Sequence, residues 1–161
     1  MRDDLLSALD ALRADQQHPQ VIRHHRPARR KDKLVFVLPG QGAQYPGMGW
    51  ELYENNPVFA RTVDACDAAL GAITGWSVRD VLRQDPSAPA LDRVDVVQPV
   101  LFTMMVSLSE LLASYGIAPD AVIGHSQGEI AAAYIAGALS LSEAATVVAR
   151  RSQALLSLIH I

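Results

Sequence analysis

The sequence predicts an α/β fold built on a mostly parallel sheet. Two short apolar runs, residues 34–38 and 121–124, have the length and continuity of strands buried in such a sheet, and the first ends at Pro39-Gly40. Between and after them, apolar residues recur at helical spacing. Strand, helix, strand and helix in succession is the pattern of an α/β sheet. Half of the 161 residues are apolar and 19% are charged. That balance excludes a disordered tail, a collagen-like fibre and a disulfide-built mini-protein.

Taken in order, residues 3–16 place Leu5, Leu6, Leu9 and Leu12 at helical spacing and predict a short amphipathic helix. The pattern dissolves from His18 to Lys33, and this stretch reads as a linker. Residues 1–33 hold eight Arg/Lys against five Asp, although the whole chain carries a formal charge of −3. The basic run 23–33 has no interleaved aromatics and no recognition fold beside it, so a solvated linker is favoured over a nucleic-acid arm. Asp3, Asp4 and Asp10 interrupt the N-terminal leucines, which speaks against a signal peptide. No apolar stretch is expected to span a membrane. The lone Cys66 has no partner for an internal bridge, and a cytoplasmic protein is expected.

The folded part, residues 34–161, opens with the strand 34–38, expected to be buried on both faces. Asn56-Pro57 is a helix start, with a capping side chain before a proline at the first helical position. Phe59, Val63, Cys66 and Leu70 then share a face, which makes Cys66 a core residue, and Gly71 is a plausible stop. Residues 84–93 read as a loop. Over 99–115, Leu101, Met104, Met105, Leu108, Leu111, Leu112 and Tyr115 form an apolar stripe, with Ser107, Ser109, Glu110 and Ser114 between them. Pro119 leads into the strand 121–124, and a small-residue helix follows from about Gln127 to Ala136. Ser140-Leu141-Ser142-Glu143 is a capping box that opens a last helix.

Gly124-His125-Ser126-Gln127-Gly128 is a G-x-S-x-G sequence between that strand and that helix. Such a turn holds its serine strained and outward, and the flanking glycines let strand and helix pack closely. The helix N-terminus then faces the site, so the Gln127 amide can stabilise a developing oxyanion. A nucleophile and a purely structural turn are the two readings. The turn at Gly40-Gln41-Gly42 is the obvious source of a second oxyanion donor, or else a plain turn. A base is harder to find. His125 is adjacent to the serine and expected to point away from it, His18, His24 and His25 sit in the linker, and His160 is near the end. The base is expected to be missing from this chain.

Four ordered blocks carry a resemblance. They are Phe36-Val37-Leu38-Pro39-Gly40-Gln41-Gly42-Ala43-Gln44, Arg93-Val94-Asp95-Val96-Val97-Gln98-Pro99, Gly124-His125-Ser126-Gln127-Gly128-Glu129 and Arg150-Arg151-Ser152-Gln153-Ala154-Leu155. With them the chain resembles the acyltransferase domain of modular (type I) polyketide synthases. More distantly, it is similar to the malonyl-CoA:acyl-carrier-protein transacylases. The resemblance implies an α/β-hydrolase-like core, truncated before a ferredoxin-like subdomain, with residues 1–33 as the linker from a ketosynthase. It implies that Ser126 takes an acyl group from an extender-unit CoA thioester and passes it to the phosphopantetheine of an acyl carrier protein. No cofactor or metal is implied. Gln41 and Gln127 match the oxyanion amides, Arg151 the arginine that pairs with the extender's free carboxylate, and Gln98 a site-lining glutamine. By position alone, Arg151 reads instead as a cation favouring the C-terminal part of its helix.

Gln127 and residues 93–98 resemble the methylmalonyl-selecting pattern more than the malonyl one. The family's catalytic histidine falls beyond Ile161, and residues 157–161 depart from the family pattern. On that basis the chain alone is expected to be inactive, and its uncovered apolar sheet to favour aggregation. Two competing readings stand beside the acyltransferase: a serine hydrolase or thioesterase with the same elbow, and an inert fragment that only docks partners.

Overall fold

In the computed structural model, residues 2–21 and 33–159 are described. The basic run 23–32, with His24 and His25, and the terminal His160 lie outside the described residues. The chain divides into two compact units, Met1–Asp32 and Lys33–Ile161. In the first, α1 (Arg2–Arg13) carries Leu5, Leu6, Leu9 and Leu12 as expected, and all four are exposed.

The second unit is a helical layer against a small parallel sheet. Strand β1 (Val35–Leu38) pairs in register with β2 (Ala121–Gly124), Val35 opposite Ala121 and Leu38 opposite Gly124. Leu38 is buried, whereas Val37 is 70% and Ile123 58% exposed. The expectation of a strand buried on both faces therefore fails. Alternate residues of a strand face opposite ways, and among the described residues only the Leu38 side of the pair is packed into the core. Beside β1 an apolar groove of about 480 Å³ runs between Val35, Val37, Tyr45, Met104 and Leu108.

After β1 come α2 (Trp50–Asn55) and α3 (Pro57–Thr74). The Asn56 side chain accepts from the Val58 and Phe59 amides at 3.0 and 3.1 Å, which fixes the start of α3 as its sequence required. Phe59, Val63, Cys66 and Leu70 are all fully buried. Gly71 does not end this helix. It continues to Thr74 and stops at Gly75, whose φ of 77° makes it the left-handed cap. A short helix α4 (Val78–Leu82) follows, capped by Ser77, and residues 84–93 are irregular as expected.

Helix α5 (Val94–Ser114) is the hub, packing against α3, α4 and the two helices that follow β2. It starts five residues before the expected 99 and carries Pro99 inside it. Val96, Val97, Val100, Phe102 and Val106 are fully buried, so burial all around the first half outweighs the proline's lost N–H. The expected stripe is correspondingly incomplete: Leu108 and Tyr115 are exposed, whereas Ser107 and Ser109 are buried. α5 is long and apolar enough to cross a membrane, contrary to the expectation that no stretch qualifies. In this fold 72% of its apolar window is buried, as in a core helix.

Helix α6 (Gly128–Ile135) follows β2 directly, and α7 (Leu141–Ile159) closes the unit. The capping box forms: the Ser140 amide and hydroxyl donate to Glu143 at 2.8 and 2.7 Å, and the Glu143 amide donates to Ser140 Oγ at 3.3 Å.

Candidate active site

The site forms where β1 and β2 end side by side. Beyond the ladder, the His125 amide donates to the Leu38 carbonyl at 2.9 Å. The chain then reverses in one residue. Ser126 has a φ of 56°, in the left-handed region where a Cβ is crowded, and α6 begins two residues later. The Gly128 amide closes the turn on the His125 carbonyl at 2.9 Å, and the Glu129 amide reaches Ser126 O at 3.2 Å.

Close packing explains the flanking glycines. A Cβ on Gly124 would collide with the backbone of Gly128 and Glu129, and one on Gly128 with the carbonyls of Leu38 and Pro39. Gly40 is also pressed to the turn, since a Cβ there would lie 2.9 Å from His125 Nδ1 and 3.4 Å from Ser126 Cβ. The turn containing Gln41 is thus carried directly against the serine. Among the described residues, neither the Gln41 nor the Gln127 amide donates to a backbone carbonyl.

Arg151 reaches the site from α7. Its Nη1 donates to Gln98 Oε1 at 2.6 Å, and its Nη2 to Ser126 Oγ at 3.3 Å. Gln98 is buried on the first turns of α5, a rigid mount for the guanidinium. Ser126, Arg151 and Gln98, from the turn, α7 and α5, therefore meet at one point, with Gln127 next to the serine in the turn and the loop that carries Gln41 packed against it. The Gln98–Arg151 bond spans 53 residues, and nothing local in either segment announces it.

The Gln127 side chain is fully buried; its Nε2 donates to the Pro39 carbonyl at 3.4 Å, while its Oε1 has no partner. Sequence reasoning assigned only the backbone of this residue and missed that its side chain ties the turn to the β1 loop. His125 lies against Gly40 and makes no hydrogen bond to Ser126, and His18 bonds to Ser7 at 3.3 Å in the first unit. Neither described histidine serves as base to Ser126. Among the described residues, no cluster of three or more His, Cys, Asp or Glu is placed to hold a metal ion. Cys66, fully buried with its thiol pushed up to about 12 by that burial, is no nucleophile.

A parallel β-pair running into a strained serine at a helix N-terminus, with an arginine at its hydroxyl, defines an α/β protein of the nucleophile-elbow type. The chain belongs to the acyl transferase domain family, whose model matches residues 35–159. It is 58% identical over 157 residues to the mycoketide-CoA synthase of Mycobacterium tuberculosis (strain ATCC 25618 / H37Rv), covering 98% of this chain and 4% of that protein. Erythronolide synthase EryA2 of Saccharopolyspora erythraea is 60% identical over 125 residues, or 78% of this chain and 4% of that protein. Among solved structures, the acyltransferase domain from module 8 of the salinomycin polyketide synthase superposes with a TM-score of 0.84 at 52% identity, covering 98% of this chain and 37% of that one. The MCAT of Streptococcus pneumoniae gives a TM-score of 0.67 at 33% identity, over 75% of this chain and 38% of that one. The chain thus spans a small part of its curated relatives and well under half of those two solved chains.

Proposed function

We propose that this chain carries the acyl-accepting half of an extender-unit acyltransferase in polyketide assembly. The observation that carries the reading is Arg151, held by Gln98 with its second nitrogen at Ser126 Oγ. A planar guanidinium beside a nucleophile selects acyl groups that end in a carboxylate, because it grips that group bidentately. A simple esterase has no use for such a cation.

In the first half-reaction Ser126 Oγ attacks the thioester carbonyl of an extender-unit CoA. The tetrahedral oxyanion forms against the Gln41 and Gln127 amides and the N-terminus of α6. The C–S bond then breaks, CoA leaves as the thiol with the serine's proton, and an acyl ester remains on Ser126. In the second, the phosphopantetheine thiol of an acyl carrier protein attacks the ester and Oγ regains a proton. The base that moves these protons is proposed to be a histidine other than the five of residues 1–161. No cofactor enters; CoA is the substrate's carrier.

Methylmalonyl is the proposed extender, malonyl the alternative, on the identity of Gln127 and residues 93–98. One methyl group is worth only about 1–3 kcal/mol in a hydrophobic pocket, so the preference is one of degree. The proposed setting is a cytoplasmic synthase with a ketosynthase preceding residue 34 through the 1–33 linker.

The test is intact-mass analysis of these residues supplied within a complete acyltransferase domain that brings the proposed base, after incubation with methylmalonyl-CoA, malonyl-CoA or acetyl-CoA, followed by holo acyl carrier protein. An adduct on Ser126 is expected from the two dicarboxylic substrates, absent in Ser126→Ala and discharged onto the carrier. An adduct that survives Ser126→Ala, or equal loading from acetyl-CoA, defeats the reading. Discharge to water faster than to the carrier would favour the hydrolase.

A further inference from the structure

Arg151 does more at Ser126 than a remote carboxylate anchor would. Its Nη2 donates to the nucleophilic oxygen itself at 3.3 Å, and among the described residues no other side chain bonds that oxygen. The guanidinium is not free to drift away. Nη1 is fixed on Gln98 at 2.6 Å, and the neighbouring Val148, Ala149 and Ser152 of α7 are fully buried in the core. A serine oxygen has one proton and two lone pairs. With an N–H directed at one lone pair, the oxygen is capped on the side from which Arg151 approaches.

We infer that Arg151 gates the nucleophile: it caps Ser126 Oγ in the empty site and is drawn off by the free carboxylate of the incoming acyl group. The exchange follows from donor strength. A hydrogen bond from guanidinium to a carboxylate is charge-assisted on both sides, whereas one to a neutral hydroxyl is charge-assisted on the donor side alone, so the carboxylate is the stronger acceptor. A carboxylate arriving beside Nη2 therefore takes its N–H from Ser126, while Gln98 keeps Nη1 in place. The same carboxylate that is bound also uncaps the oxygen, and acyl groups without one meet a capped serine. Selectivity then resides partly in the rate of attack and not in binding alone. This inference rests on the proposal that Ser126 is the nucleophile.

The experiment measures, in a complete acyltransferase domain that contains these residues and the proposed base, the rate at which an uncharged alkyl fluorophosphonate labels Ser126, followed by peptide mass spectrometry. Serine oxygen bonds to phosphorus and fluoride leaves, the proton going to solvent. Free methylmalonate is expected to accelerate labelling of the wild-type protein by about tenfold, and its neutral dimethyl ester to do nothing. Arg151→Ala is expected to label about tenfold faster than wild type without additive, and to ignore methylmalonate. A plain binding role predicts the opposite sign, since a dicarboxylate in the site would shield the serine. Protection by methylmalonate, or no effect of it on wild type, overturns the gate even if Arg151→Ala does not fold. Labelling that persists in Ser126→Ala, or that fails in wild type and Arg151→Ala alike, instead removes the nucleophile reading and the gate with it.

Discussion

Two glycine-to-alanine substitutions in this fold should shift stability in opposite directions, for reasons readable from the atoms around them. Gly71 lies within α3, and a Cβ there would meet the Trp76 carbonyl at 3.6 Å, an ordinary van der Waals contact. Gly71→Ala therefore gains the usual helix-interior advantage of alanine, about 0.5–1 kcal/mol. Gly128 opens α6, and its Cβ would sit 2.7 Å from the Pro39 carbonyl oxygen and closer still to that of Leu38. Those are backbone atoms at the end of β1, so no side-chain rotation relieves the clash. Overpacking of this kind costs about 1–3 kcal/mol. Less the full propensity gain of about 1 kcal/mol, Gly128→Ala should lose up to about 2 kcal/mol. Urea unfolding with unchanged slope reads both numbers, the midpoint rising for Gly71→Ala and falling for Gly128→Ala. Fluorophosphonate labelling of Ser126 should fall in Gly128→Ala alone, because the Gln127 amide moves with the helix start. If both midpoints rise alike, the account of why the elbow needs its glycines is wrong.

Asn56→Ala removes a side chain that accepts two helix amides, at 3.0 and 3.1 Å, and should destabilise the fold by about 1 kcal/mol in the same urea assay. Burial raises the Cys66 thiol from an ordinary 9.0 to about 12, so above pH 9 the unfolded chain ionises this thiol while the folded one does not. Its contribution is complete below that pH and is lost as pH climbs toward 12; unfolding at about pH 8 and about pH 10 should show a steeper decline for wild type than for Cys66→Val. Hydrogen bonds from the Ser140 hydroxyl and amide hold the Glu143 carboxyl below its ordinary 4.5. That stabilisation is present above pH 4.5 and disappears as pH falls through the depressed value, so the acid limb of the stability curve should flatten in Glu143→Gln.

What the sequence disclosed was mostly local chemistry. The Asn56 cap, the Ser140–Glu143 box and the turn at Ser126 each depend on residues a few positions apart, and each took the expected form. Ser77 and Asp80, the signature that starts α4, were equally local and went unread. The misreadings came where distant packing outweighs local preference. Pro99 would end a solitary helix, yet α5 passes through it because its flanking valines are enclosed by other helices. Gly71 and Gly75 are both credible stops, and only the second adopts the left-handed conformation that a cap uses. Val37 reads as core by its neighbours but lies on a sheet face that the described residues leave open. At the site, Ser126 was marked by its motif. The contact of Arg151 with Gln98, and the burial of the Gln127 side chain, depend on how α5, α6 and α7 converge, and no short window of sequence contains that.

The backbone at Ser126, with its φ of 56°, also sets stability against chemistry at a single residue. A side chain in that conformation costs about 1–2 kcal/mol, a strain that glycine would not feel. By this measure the turn is most comfortable with its reactive hydroxyl deleted. Mutational drift under selection for folding alone would move position 126 toward glycine, whereas the proposed acyl transfer would hold serine there. Under that proposal, the residue at position 126 in any descendant of this chain records use, written in a conformation that folding by itself would not preserve.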